Sequence, residues 1–112
     1  MTKLNKSSKL WSSTKDLNST ENAFEHWNKH WSDFPDINNS IEYVDFAKNF
    51  LNNPPAWTLS KVRTWNNDII FYNESSNIFG VKTADWIPRT VFKPNIEKHW
   101  HNTNLDYFNF LK

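Results

Sequence analysis

A chain of 112 residues with one glycine, Gly80, and seven tryptophans has few easy ways to turn. Backbone reversals that need positive φ normally take glycine, because a Cβ is crowded there. Here asparagine has to supply those positions, since its short polar side chain tolerates the left-handed region. Otherwise the turns are strained.

Asn- and Pro-rich breaks divide the chain into recognisable pieces. Residues 1–18 are rich in Ser, Lys, Thr and Asn and lack apolar periodicity. They read as a linker or junction, with the domain proper over 19–112. Asn18 offers an N-cap, and Glu21 completes a capping box. The stretch "TENAFEHWNKHW" then reads as a helix with Ala23, Trp27 and Trp31 on one stripe and His26 and His30 on the next. "SDFPDINN" breaks the pattern. Ser40 is expected to cap a second helix, "IEYVDFAKNFLNN", whose stripe is Ile41, Val44, Ala47, Phe50 and Leu51. Pro54 and Pro55 end it.

Beyond the prolines the texture becomes short, β-branched and aromatic: "WTLSKVR", "DIIFYN", "IFGVKT" and "RTVFKP". Their spacing predicts an antiparallel meander of three or four strands. In the last of them strict alternation puts Thr90 and Phe92 on one face and Arg89, Val91 and Lys93 on the other. Gly80 marks a bulge or a close backbone approach. The tail spaces Leu105, Phe108 and Leu111 helically but is short enough to be a strand. The fold class is α+β, with N-terminal helices packed on an antiparallel sheet.

The totals exclude several functions. With no cysteine there are no disulfides, thiolate metal sites or cysteine nucleophiles. No apolar run approaches the ~20 residues of a membrane span, and the lysine-bearing N-terminus lacks the apolar stretch of a signal peptide. The net charge of +1 sets up no global field for nucleic acid. From Phe46 onward, however, eight basic residues face five acidic ones, whereas the first 45 residues carry five and seven. That asymmetry suits a phosphate ligand as well as ordinary solvated surface.

His26 and His30, four residues apart, have the spacing of two metal ligands, but no Glu stands between them as in the zinc-protease pattern. Nothing specifies a third ligand, so no metal and no cofactor are expected. Proton transfer is the better-motivated role, because an imidazole titrates near neutrality. Packed or surface histidines on an aromatic helix are the competing reading. Arg89 offers a planar fork for phosphate, with the Thr90 hydroxyl beside it. A strand-edge Arg followed by a β-favouring Thr is the plain alternative. Arg63, Lys61 and Lys93 are further cations for such a cleft, and Tyr107 a phenol.

Five pieces, "EHWNKHWSDFP", "EYVDFAKNFLNNPPAWT", "SKVRTWNNDIIFYN", "NIFGVKTADWIPRTVFKPN" and "NLDYFN", resemble in order and spacing the C-terminal toxin domains of bacterial polymorphic and contact-dependent inhibition systems. The branch is that of the barnase/EndoU/colicin/RelE-like ribonuclease toxins, and the match runs over about residues 22–110. The resemblance implies metal-independent cleavage of transfer RNA or another RNA, leaving a 2′,3′-cyclic phosphate. It implies delivery at the end of a larger secreted protein, action in the target-cell cytoplasm, and a cognate immunity protein, expected to be acidic, with the domain otherwise monomeric. It places His26, His30, Arg89, Thr90 and Tyr107 in the catalytic set and Arg63 and Lys93 at the RNA phosphates. The alternative is a non-catalytic nucleic-acid- or protein-binding module, marked by a convex basic face with no cleft joining His26 to Arg89.

Where the resemblance leads one to expect glycine, this chain has Trp31, Trp57, Trp65 and Trp86, with Trp100 as a fifth such position. Repeated Gly-to-Trp changes at turns point to a gene in which UGA specifies glycine, translated here with UGA as tryptophan. True tryptophans in rearranged turns are the alternative.

Overall fold

The computed structural model describes residues 10–112. Helix α1 (Ser19–His30) starts where the sequence marks it. The Asn18 side chain accepts from Glu21 N–H at 2.9 Å, and Glu21 Oε1 accepts from Asn18 N–H at 3.0 Å, closing the capping box. A short 3-10 turn follows over Trp31–Asp33. Helix α2 (Ser40–Asn52) is capped by Asn39, one residue before the expected Ser40. Val44, Ala47, Phe50 and Leu51 are buried as the stripe requires, while Ile41, on the first turn, is exposed.

Four strands, β1 (Leu59–Val62), β2 (Ile69–Asn73), β3 (Ile78–Lys82) and β4 (Pro88–Phe92), form an antiparallel meander in the order β1-β2-β3-β4. The short helices α3 (Ile96–His99) and α4 (Asn104–Phe110) follow, so the tail is a helix and not a strand. The α+β class holds: the two longer helices precede the sheet, and two short ones come after it. Among the described residues no helix is long and apolar enough to cross a membrane.

The side-chain period of two sorts the strands onto two cores. Phe71, Gly80 and Val91 lie level across β2, β3 and β4. Phe71 and Val91 join Tyr43, Val44, Ala47, Phe50 and Leu51 beneath α1 and α2. Gly80 is there because α2 leaves no room: a Cβ would sit 2.8 Å from Leu51 Cδ2 and 3.0 Å from Phe50 Cε2. The close approach at this glycine is made by two α2 side chains and not by another backbone. On the opposite face Ile70, Tyr72, Phe79 and Val81 pack with Phe108 of α4. Lys82 is buried and donates from Nζ to the Leu51 carbonyl at 2.9 Å, tying β3 to the free end of α2.

Two expectations need correction. The 1–18 junction is not featureless in its second half; residues 1–9 lie outside the described residues. Trp11 is completely buried against His26 and Tyr43, and its backbone exchanges two hydrogen bonds with the Ser19 hydroxyl. Ser12 N–H donates to the Pro88 carbonyl at 2.8 Å. One large aromatic, worth roughly 1.5–3 kcal/mol when buried, anchors a stretch whose average polarity hides it. The second correction concerns β4. Val81 pairs with Thr90, but Lys82 pairs with Pro88, leaving Arg89 as an extra, bulged residue. A bulge breaks alternation and re-aims a side chain. Arg89 therefore lines the same cleft as Thr90 and Phe92, and not the opposite face with Val91.

Candidate active site

The cleft lies over the α4-side face of the sheet, beside edge strand β4, with α1 along one wall. One end, about 290 Å³, is lined by Arg63, Arg89, Thr90, His26 and Tyr107 over a floor of Phe79 and Val81. The other, about 360 Å³, is lined by His26, His30, Thr90, Tyr107 and three lysines. His26, Thr90, Phe92 and Tyr107 line both, so the two halves meet at these residues. The apolar groove between α1 and α2, under Phe24 and Ile41, lacks this chemistry; only Glu21 and Asp45 bring charge to it.

At the meeting point His26 Nδ1 lies 3.1 Å from Thr90 Oγ1. Sixty-four residues separate the two in sequence. When Nδ1–H donates to that hydroxyl, Nε2 carries the free lone pair. Burial, and then the charge of Lys29, lower the His26 pKa below its ordinary 6.5, so the ring is neutral at neutral pH. His30 stands one turn on, 5.9 Å from His26 between ring centroids, and stacks on Phe92 at 5.2 Å. Burial pushes it down to about 4; His26, Lys29 and Lys98 add to the drop, and the Asp33 carboxylate at 3.7 Å opposes it.

Both imidazoles are thus neutral when folded and readily protonated when unfolded. The sign follows directly: between the two pKa values the unfolded chain binds more protons, so stability rises with pH. For His30 that contribution is complete above about 6.5 and is lost as pH falls toward about 4. Urea unfolding at a series of pH values should show this slope, and a His30→Phe variant should flatten it.

The arginines are held by a residue that sequence patterning passes over. Asp68 is buried, and its Oδ2 accepts from Arg89 Nε at 2.8 Å and lies 4.0 Å from Arg63 Nη1. Asn66 Nδ2 donates to the same oxygen at 2.9 Å. A charged residue directly before the apolar run "IIFYN" is the sequence signal, since a buried carboxylate needs partners. One carboxylate between two guanidiniums fixes both and leaves a net positive wall.

Tyr107 reaches the cleft from α4, and its ring stacks on His99 at 4.4 Å, nearly parallel. His99 is itself held: Nδ1 accepts from His101 N–H and Nε2 meets Asn104 Oδ1 at 2.8 Å. Lys93 lies at the far end from Arg63 and Arg89, where its backbone N–H donates to Asp33. Lys61 is drawn away over the Phe108 ring. The structure therefore brings His26, Thr90, Arg89, Arg63 and Tyr107 together at one end and groups His30 with Lys93 at the other. Among the described residues no three His, Cys, Asp or Glu side chains gather as a metal site.

No protein-family model matches this chain, and no curated protein matches it in sequence. The geometry of the cleft carries the functional reading.

Proposed function

We propose that this domain is a metal-independent endoribonuclease toxin. The observation that supports it best is the His26–Thr90 contact at the centre of a cleft whose wall holds two arginines on a buried carboxylate. A neutral imidazole beside a phosphate-sized cationic pocket has the parts for transesterification. His26 Nε2 takes the proton of a ribose 2′-OH, and that oxygen attacks the adjacent phosphorus. The P–O5′ bond breaks, and an acid protonates the departing O5′. The products are a 2′,3′-cyclic phosphate and a free 5′-hydroxyl. Arg89, Arg63 and the Thr90 hydroxyl stabilise charge on the phosphate oxygens. Tyr107, which lines both halves of the cleft, is the acid in this proposal. His30, held neutral chiefly by burial, needs a change in its surroundings to serve as one.

The binding-module reading called for a convex basic face; a concave cleft that joins His26 to Arg89 favours the enzyme. The test is incubation of the purified chain with total bacterial RNA, followed by mapping of fragment ends. Cyclic-phosphate 3′ ends and 5′-hydroxyls are expected, with the rate unchanged by EDTA, since both proton transfer and charge stabilisation are assigned to side chains. Intact RNA, or cleavage that stops with EDTA and returns with zinc, overturns the reading.

A toxin of this kind needs a neutralising partner. The cationic cleft suits an acidic immunity protein that covers His26 and Arg89, because opposite charge steers association and pairs with exposed guanidinium. Its binding is expected to compete with RNA and to weaken as salt rises; a basic partner that leaves RNA binding intact overturns a plugged cleft.

A further inference from the structure

The lysines of the second half of the cleft have no part in the chemistry above, yet they make it the more cationic half. Lys29 at the end of α1, Lys93 just after β4 and Lys98 on α3 converge on it from three separate elements. At the first end Asp68 offsets two arginines. Here the single lining carboxylate is Asp33, already engaged by the Lys93 N–H and by His30. Three ammonium groups on flexible stems act as point charges and set no fork geometry. They suit a phosphate that has to be held but not aligned for reaction.

We infer that the end of the cleft framed by Lys29, Lys93 and Lys98 is a second phosphate subsite, which takes an RNA phosphate flanking the scissile one and thereby readies His30 to donate a proton. The catalytic meaning rests on the ribonuclease reading; the anion site does not. His30 faces His26 and Lys29 on its own helix, Asp33 in the following turn, Lys98 on α3 and the Phe92 ring of β4. Burial first, and then Lys29 and Lys98 among the neighbouring charges, keep the ring unprotonated. A phosphate seated among them reverses the sign of the local field. An opposite charge within about 4–6 Å moves a titrating group by about 1–3 units toward its charged form. Substrate would then make His30 available as an acid beside Tyr107, at the moment when an acid is required.

Inorganic phosphate is the probe, titrated at constant ionic strength while the histidine ring signals are followed by NMR over a pH series. The His30 midpoint is expected to rise by about one unit or more with phosphate. A Lys29→Ala/Lys98→Ala variant should lose that dependence, and its affinity for RNA should fall less steeply with salt, by a slope of about 0.7 per lysine removed. Both lysines are exposed, so the fold is not at stake, and the circular dichroism of the variant checks this. A midpoint unmoved by phosphate, or moved equally in the double variant, overturns the subsite. A chain that shows the phosphate-linked shift but cleaves no RNA upholds the subsite and overturns the ribonuclease. Cleavage without the shift does the reverse.

Discussion

Replacing His26 with alanine is expected to slow RNA cleavage by about 10²–10⁴-fold while leaving the fold intact. That loss corresponds to about 3–5 kcal/mol of transition-state stabilisation, the range for a single positioned proton-transfer group. Among the described residues no other imidazole stands at the meeting point of the two half-clefts. The Thr90 hydroxyl is a hydrogen-bond partner, and His30 lies a full turn away against Phe92. Alanine is a stronger helix former than histidine, so the exchange costs α1 no propensity. Trp11 loses one neighbouring ring but keeps Tyr43 and its backbone ties. Single-turnover cleavage of a short RNA, with circular dichroism on the same sample, checks both halves of this expectation. A folded His26→Ala protein that cuts at the wild-type rate would move the base elsewhere in the cleft.

Local signals in the sequence carried far. The Asn18–Glu21 box, the Val44–Ala47–Phe50–Leu51 stripe and the four β-branched runs each act within a few residues, and each element stands where they put it. Trp11 was missed because windows of composition average over a lone aromatic among Ser, Lys and Thr. The site was legible in its residue types but not in its grouping. Alternation separates Arg89 from Thr90, and a single bulged residue reunites them. Nothing in "IPRTVF" announces that register shift, which arises from how β3 and the following turn meet β4. Lys93 was grouped with Arg89 on the same alternation and lies instead at the other end. Asp68 could have been suspected from its place before "IIFYN". That it serves both Arg63 and Arg89 depends on β1 and β4 flanking β2 and β3, which is tertiary information.

The turns carry the other large expected effect. Among the described residues five non-glycine positions have positive φ: Asn67, Asn77, Trp57, Trp86 and Trp100. Asparagine tolerates that region; a bulky aromatic there is an outlier that costs about 1–2 kcal/mol. Each tryptophan sits where glycine is the ordinary solution. Trp57 is the third residue of the turn closed by Thr58 N–H on the Pro55 carbonyl, where positive φ is the type II geometry. Trp86 closes the turn that starts at Thr83 in the loop between β3 and β4, and Trp100 is the left-handed cap of α3. Trp31 and Trp65 do not share the feature: Trp31 is right-handed helical and Trp65 is not among the positive-φ residues, because Asn67 takes that role in its turn. Three of the five tryptophans, not all five, therefore occupy positions that call for glycine. Trp57 and Trp100 are 93% and 87% exposed, so replacement by glycine forfeits almost no packing. Trp86 covers Lys82 Nζ at 3.3 Å, and losing that contact offsets part of its gain. After the entropy that glycine adds to the unfolded chain, each exposed site should return about 1 kcal/mol and the triple variant roughly 2–3 kcal/mol. For a domain of this size that is on the order of 10–20 °C in Tm. Trp65→Gly is the control and should gain nothing. If Trp57→Gly and Trp100→Gly melt no higher than that control, the turns are not strained. The gene carries a sharper test, since UGA is expected at codons 57, 86 and 100, and UGG there would mean that these turns have held tryptophan all along.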